Sequence, residues 1–327
     1  RDLHLSLRRQ RQMCIRDRYS TRFKFCQVKI CVSKIANRNI EIWYNCIKQK
    51  IKEKNMQIKS FKTANYAPLE NLELHFSADM NNISLPHGAG TTTILKTMYS
   101  IIESTRETTV KEKRRLLNEK LISVFPITTH SIGKLIAQDS VSAEVELEHS
   151  KGVCSFALSR KIKTIQPDIT SSDEEFTSLY IPSRSVIEYA KDICGLYPEY
   201  HINISSATYE LARHILGPHR NLSPSSFEIK LLRRLTELLN GTLEYEGGIF
   251  YLKRGKYKLE MSLCSEEEKK IAQLYQLIRN GFFLPGTIVF WDDFDRGLRE
   301  TIKKQLLNIL LEISHTGVQF FLGRCDN

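Results

Sequence analysis

An α/β fold with a parallel core sheet, an antiparallel N-terminal subdomain and a helical insert is what this 327-residue sequence predicts. Three observations carry that expectation. Strand–helix–strand patterns close the chain, and right-handed crossovers of that kind build parallel sheets. A glycine-containing turn, Pro86–Gly90, stands between a short strand and a helix. Alternating apolar and polar segments, the signature of half-buried antiparallel strands, precede it and return as a hairpin beyond residue 140.

Taken in order, Met56–Lys62 and Leu72–Phe76 alternate and read as two strands joined through a turn at Pro68. Asn82–Leu85 is a short third strand. From Thr91 to about Ser104 the spacing of Ile94, Leu95, Met98 and Ile101/Ile102 predicts a helix with one apolar face. Thr105–Leu121 is densely charged and reads as an exposed helix, its acids interleaved with its bases. Val141–Leu147 and Val153–Leu158 alternate across a Ser-Lys-Gly turn and predict a hairpin. Residues 161–177 read as a polar loop, and Leu179–Ser183 as a strand entering a turn. The block 184–240 is largely helical, broken at Gly217-Pro218. Leu243–Tyr245 and Ile249–Leu252 form a hairpin over Gly247-Gly248, followed by a strand at Lys256–Met261. Glu266–Asn280 is an amphipathic helix. Thr287–Trp291 is continuously apolar, as a strand buried on both faces must be. A helix over Glu300–Ser314 and a last buried strand at Gly317–Leu322 complete the pattern.

The charge balance narrows the function classes. The chain is formally +11, which on its face points to nucleic acid or anionic lipid. Yet residues 1–55 hold 15 of the 48 Lys/Arg and 4 of the 37 Asp/Glu, leaving 33 of each sign from residue 56 onward. The part that folds by these patterns is therefore neutral. Residues 1–55 show no helical or alternating period, and Gln12–Arg18 (QMCIRDR) resembles a translated sequencing adaptor. They read as a non-native or disordered basic extension, the rival being a nucleic-acid arm, with Met56 as the expected start of a domain running to Asn327. Cys154, Cys194, Cys264 and Cys325 are widely spaced and form no CxxC pair, which reads as free thiols in a reducing cytoplasm. No apolar run reaches membrane-spanning length. His130, His149, His201, His214 and His219 lack ligand spacing and read as ordinary surface or core histidines, and Trp291 as packing.

Two constellations carry chemistry. In Leu85–Thr92 (LPHGAGTT), Gly90 and Thr92 stand in register with the second glycine and the hydroxyl of a GxxxxGK[ST] phosphate loop. Such a loop cradles phosphate oxygens with backbone N–H groups at a helix N-terminus and holds Mg2+ through its hydroxyl. Its first glycine is here Leu85 and its lysine Thr91, so by itself the match equals that of a bland glycine turn. The second constellation is Ile288–Asp293 (IVFWDD), an apolar strand ending in two acids. Asp292 would order Mg2+ and Asp293 would face the attacking water. The rival reading is a strand-ending turn that favours Asp.

The residues that follow make the pattern specific. Pro285–Leu298 (PGTIVFWDDFDRGL) resembles the pattern PGSxLFWDEPExxLxP of the ABC/RecF/OLD-like branch of AAA-type ATP-binding proteins. Leu274–Asn280 is similar to the helix after that family's signature, Leu179–Arg184 to one of its strands, and Met56–Phe61 with Leu72–Phe76 to its opening hairpin. The resemblance covers about 56–327 and implies a P-loop NTPase fold, an ABC-ATPase-like head. It implies ATP and Mg2+ as cofactors. His87, Gly88, Ala89, Gly90, Thr91, Thr92 and Thr93 would form the phosphate loop. Thr92 and Asp292 would be the metal ligands, and Asp293 would stand in the place of the catalytic Glu. Ser265 and Glu266 would lie on the signature turn, which completes the site of a partner subunit. The partners implied are a second copy, in a dimer closed over ATP, and an effector protein or DNA. No membrane partner is implied. The chain stops after the last core strand, which reads as a head without an appended nuclease.

The departures fall on chemistry. Thr91 removes the loop's positive charge, Asp293 shortens the reach to water, Glu267 replaces the signature glycine with a charged side chain, and Cys325 stands near an expected switch histidine. Arg324 is a candidate to supply the lost charge. Together they point to nucleotide binding with weak or lost hydrolysis. The alternative is a non-catalytic interaction module that keeps the fold.

Overall fold

The computed structural model describes residues 56–326 apart from 87, 108, 128–130, 162–163, 170–176, 201 and 218–223. The expectations for residues 1–55, and for His87, His130, His201 and His219, lie outside the described residues. Three sheets organise the rest. Strands β1 (Ile58–Tyr66) and β2 (Leu69–His75) form a hairpin across a cis Ala67–Pro68 bond. They join β4 (Ser142–His149), β5 (Gly152–Ser159) and the two-residue β6 (Asp168–Ile169) in an antiparallel sheet ordered β2-β1-β4-β5-β6. Beta6 falls inside the stretch read as a polar loop, a length too short to leave a pattern.

The core sheet is parallel and ordered β3-β12-β11-β7, from β3 (Met80–Pro86), β7 (Ser178–Ile181), β11 (Ile288–Trp291) and β12 (Gln319–Asp326). All four residues of β11 are buried, as its unbroken apolar run requires. Alternate side chains enter two cores: Ile288 and Phe290 face the antiparallel sheet, Val289 and Trp291 face the helical side. Trp291 packs edge-on against Phe294.

Helix α1 (Thr91–Thr105) and α2 (Val110–Val124) fill the space between the antiparallel sheet and the core sheet. Two expectations are corrected here. The spacing predicts one apolar face for the first helix, but it is buried almost all round, including Thr97, Ser100, Ser104 and Thr105. A helix between two layers has no solvent side, and three of these hydroxyls donate to carbonyls of their own helix: Ser100 to Lys96, Ser104 to Ile101 and Thr105 to Ile102. The stretch 105–121, expected to be one exposed helix, instead gives its first residue to α1 and the rest from Val110 to α2, which is capped by Thr109 and is not simply exposed. Lys113, Leu117, Leu121 and Val124 form a buried stripe.

The helical insert holds α3 (Ala190–Tyr200), α4 (Ser206–Leu216) and α5 (Ser226–Leu239). An antiparallel ribbon follows, β8 (Thr242–Glu246), β9 (Ile249–Arg254) and β10 (Tyr257–Glu260). Its tight turn takes Gly247 and Gly248 at positive φ. Helix α6 (Glu266–Arg279) then packs against the core with Ile271, Leu274, Leu277 and Ile278, and α7 (Glu300–Ser314) makes the crossover from β11 to β12. This is the antiparallel subdomain, parallel core and helical insert that the patterning predicts.

One side chain stitches the two large sheets together. Buried Gln319, first residue of β12, accepts from Ile58 N–H (2.9 Å) and donates to the carbonyls of Ile58 (2.9 Å) and Ser77 (2.8 Å). His149 is buried on β4 and burial depresses its pKa to about 4; His214 is likewise pushed to about 4 and packs on Phe282. Cys154, Cys194 and Cys264 are free thiols. Among the described residues no helix is long and apolar enough to cross a membrane, and no group of three or more His, Cys, Asp or Glu side chains is placed to hold a metal.

Candidate functional site

Parallel strands deliver their C-terminal ends to one edge, and crevices at that edge are where open α/β sheets bind ligands. Here β3 runs into the glycine turn, β11 into Asp292-Asp293 and β7 into Ser183. These segments line one cleft of about 350 Å³, with Gly88, Gly90, Thr91, Thr92, Thr93, Asp292, Asp293 and Arg296 on its walls. A wider groove on the antiparallel sheet, with Lys62, Glu144, Glu146 and Asp168 in its lining, holds no glycine turn and no helix N-terminus.

The turn is built by its glycines. Gly88 and Gly90 take φ of +81° and +105°, backbone that L side chains avoid. A Cβ at Gly88 would meet open space, so only its backbone conformation demands glycine. A Cβ at Gly90 would fall 2.6 Å from Leu69 Cδ2 and 3.0 Å from Pro68 Cγ, so there the approach of the β1–β2 corner demands it as well. Ala89 N–H bonds the Pro86 carbonyl (2.9 Å), and Gly90 is the N-cap of α1 with no side chain to cap it. The first-turn N–H groups of α1 thus lack intrahelical acceptors and open on the cleft's edge.

The two constellations meet. Thr92 Oγ1 lies 3.0 Å from both carboxylate oxygens of Asp292, donating its proton there. Tyr180, at the end of β7, donates its hydroxyl to Asp292 Oδ2 (3.0 Å). Asp292 is 8% exposed. Burial holds its carboxyl above the ordinary range, against the pull of the Thr92 and Tyr180 hydrogen bonds and of the Lys96 ammonium. Burial also raises the Tyr180 phenol, and Asp292 raises it further. On β12, Gly323 leaves the room this cluster needs: a Cβ there would stand 2.8 Å from Leu95 Cδ1, 3.0 Å from Thr91 Cγ2 and 3.4 Å from Asp292 Oδ1.

Asp293 adopts φ of +49° and heads a turn clamped from beneath. Lys270 of α6, only 1% exposed, donates to the carbonyls of Asp293 (3.1 Å), Phe294 (3.1 Å) and Arg296 (2.8 Å). Burial lowers its pKa to about 8, against the raising influence of Glu266, Asp293 and Asp295. Neither Lys270 nor Tyr180, Gly323 or Arg296 is singled out by the linear motifs.

Ser265 and Glu266 stand apart from this cleft's lining. Ser265 caps α6, its hydroxyl reciprocally bonded with Glu268 in a capping box. Glu266 accepts from Ser185 N–H (2.7 Å), beside the loop that carries Ser183. Within one copy these two residues do not join the phosphate-loop residues. Glu267 does not project a free charge: Arg299 reaches both its oxygens through its side chain (2.7–3.3 Å) and gives it the backbone N–H (2.9 Å). Arg324 is no free replacement for the loop lysine, because its Nε is paired with Asp295 Oδ2 at 2.9 Å. The side chain of Cys325 lies outside the described residues, while its backbone pairs with Leu85.

No family model and no curated protein matches the chain. Solved structures of similar fold do. The SMC head domain from Thermotoga maritima is 15% identical, the match covering 83% of this chain and 89% of that one at a TM-score of 0.42. The Smc head domain bound to the C-terminal domain of ScpA, from Pyrococcus furiosus, is 11% identical over 83% and 90% at 0.46. The recombination mediator protein RecF with ATP is 12% identical over 84% and 93% at 0.45.

Proposed function

We propose that this chain is an ATP-binding head domain of the ABC/RecF/OLD-like kind that takes a nucleotide with Mg2+ in the cleft and turns it over slowly or not at all. The observation that carries this reading is the meeting of Thr92 with Asp292 beside the glycine turn, 200 positions apart in sequence. A hydroxyl and a carboxylate side by side are the hard oxygen donors Mg2+ prefers, and the open N-terminus of α1 suits a phosphate chain. In this reading the turn from His87 to Thr93 cradles the phosphates and Thr92 and Asp292 hold the metal. Asp293 faces the terminal phosphate. Mg2+, when bound, would draw charge from the phosphate oxygens; the protein's own part is to bind, orient and exclude water.

Slow turnover follows from the same residues. Asp293 is a shorter acid than the Glu that the resemblance implies, and Thr91 brings no charge to the phosphates. Ser265 and Glu266, away from the cleft of their own chain, would close the cleft of a second copy, giving a dimer formed over nucleotide in the cytoplasm. That dimerisation would act on an effector protein or DNA.

The test is thermal melting with MgATP, with ATP plus chelator, and with Mg2+ alone, alongside phosphate release. Stabilisation that requires both ATP and Mg2+, with little phosphate released, supports the reading. A melting temperature indifferent to millimolar MgATP rejects it in favour of an interaction module that has kept the fold.

A further inference from the structure

The cleft has a charge deficit for the ligand proposed above. Among the described residues its ionisable lining is Asp292, Asp293 and Arg296. A triphosphate site ordinarily brings a lysine to the β and γ oxygens, but position 91 carries a threonine, 5% exposed, with Cγ2 close against Gly323. Two neighbouring cations are engaged elsewhere. Lys96, one turn along α1, is not part of the lining; it feels the Asp292 charge, and its ammonium lies over the Phe125 ring at 5.6 Å. Arg324 is paired with Asp295.

Arg296 is different. Its backbone is fixed while its side chain is not. Its N–H bonds the Asp293 carbonyl (3.2 Å), its carbonyl accepts from Lys270 (2.8 Å), and Gly297 at φ +74° ends the turn. Its guanidinium stands at the rim with 58% of the side chain exposed, and its ion pair with Asp293 Oδ2 is long, at 3.5 Å. A planar fork on a rigid base, loosely tied to the acid that faces the terminal phosphate, suits phosphate oxygens in a two-pronged contact.

We propose that Arg296 is the phosphate-binding cation of this site, supplying from the strand-end turn the charge that the glycine loop lacks. The inference rests on the nucleotide reading and deepens it. When MgATP enters, the guanidinium exchanges Asp293 for oxygens of the terminal phosphate. Because Arg296 is tied to Asp293, the acid at the terminal-phosphate end, it serves the third phosphate, and it sets the preference for ATP over ADP.

Calorimetric titration of the full chain with MgATP and with MgADP tests this in the wild type, Arg296→Gln and Arg296→Lys. Arg296→Gln weakens MgATP by about tenfold or more, the scale of one charge-assisted contact, and MgADP by less than about threefold. Arg296→Lys recovers a large part of the loss. Unchanged melting temperatures without nucleotide show that the fold is intact, as expected for an exposed side chain. Equal MgATP affinity in wild type and Arg296→Gln, or equal losses for ATP and ADP, overturns this inference alone. No binding by the wild type overturns it together with the nucleotide reading.

Discussion

Burial works against the charged form of Asp292. Burial raises its pKa above the unfolded value, so between those two values the folded state binds the proton more tightly. Its contribution to stability is therefore lost as pH rises from the ordinary carboxylate range through the raised folded value, and the ionised form is one that a bound cation would relieve. Asp292→Asn is expected to raise the melting temperature of the nucleotide-free protein by up to a few degrees and to abolish any stabilisation by MgATP. A differential scan of both proteins checks it. Lys270 has the opposite sense. Its folded pKa is about 8, below its unfolded value of 10.5. The cost of its buried charge is present below pH 8 and is relieved as pH rises from about 8 to about 10.5. Lys270→Met removes that cost but strips the Phe294 and Arg296 carbonyls of their donor, the Asp293 carbonyl keeping the Arg296 N–H, and the second effect is the larger. The net expected loss is about 2 kcal/mol in denaturant melts, at about 1 kcal/mol or more for each group left unpaired. The paired acids and the Gly90–Thr92 register are readable in the sequence because each is a short contiguous pattern. Tyr180, Gly323 and Lys270 are not, since nothing local in their segments announces a partner more than twenty positions away or the room a glycine must leave; Arg296 lies three positions from Asp293, but no motif residue marks it.

Elements were legible to the extent that one face of each meets solvent. The strands of the antiparallel sheet and the β8–β9 ribbon do, and their alternation places them within a few residues. Helix α1 hardly does, so polar positions that look like an outward face are buried hydroxyls, Ser100, Ser104 and Thr105 bonded to their own helix and Thr97 to Tyr66. Helix α2 errs the other way: its charge density conceals the i, i+4 stripe of Lys113, Leu117 and Leu121. The corner where β1–β2 meets the start of α1 gives a sharp expectation. Gly90→Ala must relieve both a positive φ and a 2.6 Å contact with Leu69, and is expected to lower stability by about 2 kcal/mol or more while displacing the turn from the cleft. Chemical denaturation against Gly88→Ala, which meets no atom within 4 Å, separates crowding from backbone strain. At the junction of the sheets, Gln319→Leu takes the side-chain partner from the Ile58 N–H and carbonyl, while the Ser77 carbonyl keeps the Asn81 amide, and hydrogen exchange at Ile58 is expected to rise well above that of the rest of β1.

At the scale of the molecule, the topology is the most legible feature, because crossovers of one hand bring every core strand's C-terminal end to the same edge. What closes over that edge is not written in one copy. If two copies clasp nucleotide between them, sedimentation is expected to show a dimer with MgATP, a monomer without it, and a monomer under either condition for Asp292→Asn. A dimer that ignores nucleotide contradicts the sandwich.

The first turn and a half of α6 grips both loops beside the cleft, through Glu266 on Ser185, Glu267 on Arg299 and Lys270 on the carbonyls after Asp292. A body pressing on the tip at Ser265 would therefore be pushing a crank whose other end is the mouth of the pocket. If a second copy docks there, its arrival and the stance of the residues around a phosphate would become one movement, transmitted through a single stiff rod instead of through diffuse loosening of the domain.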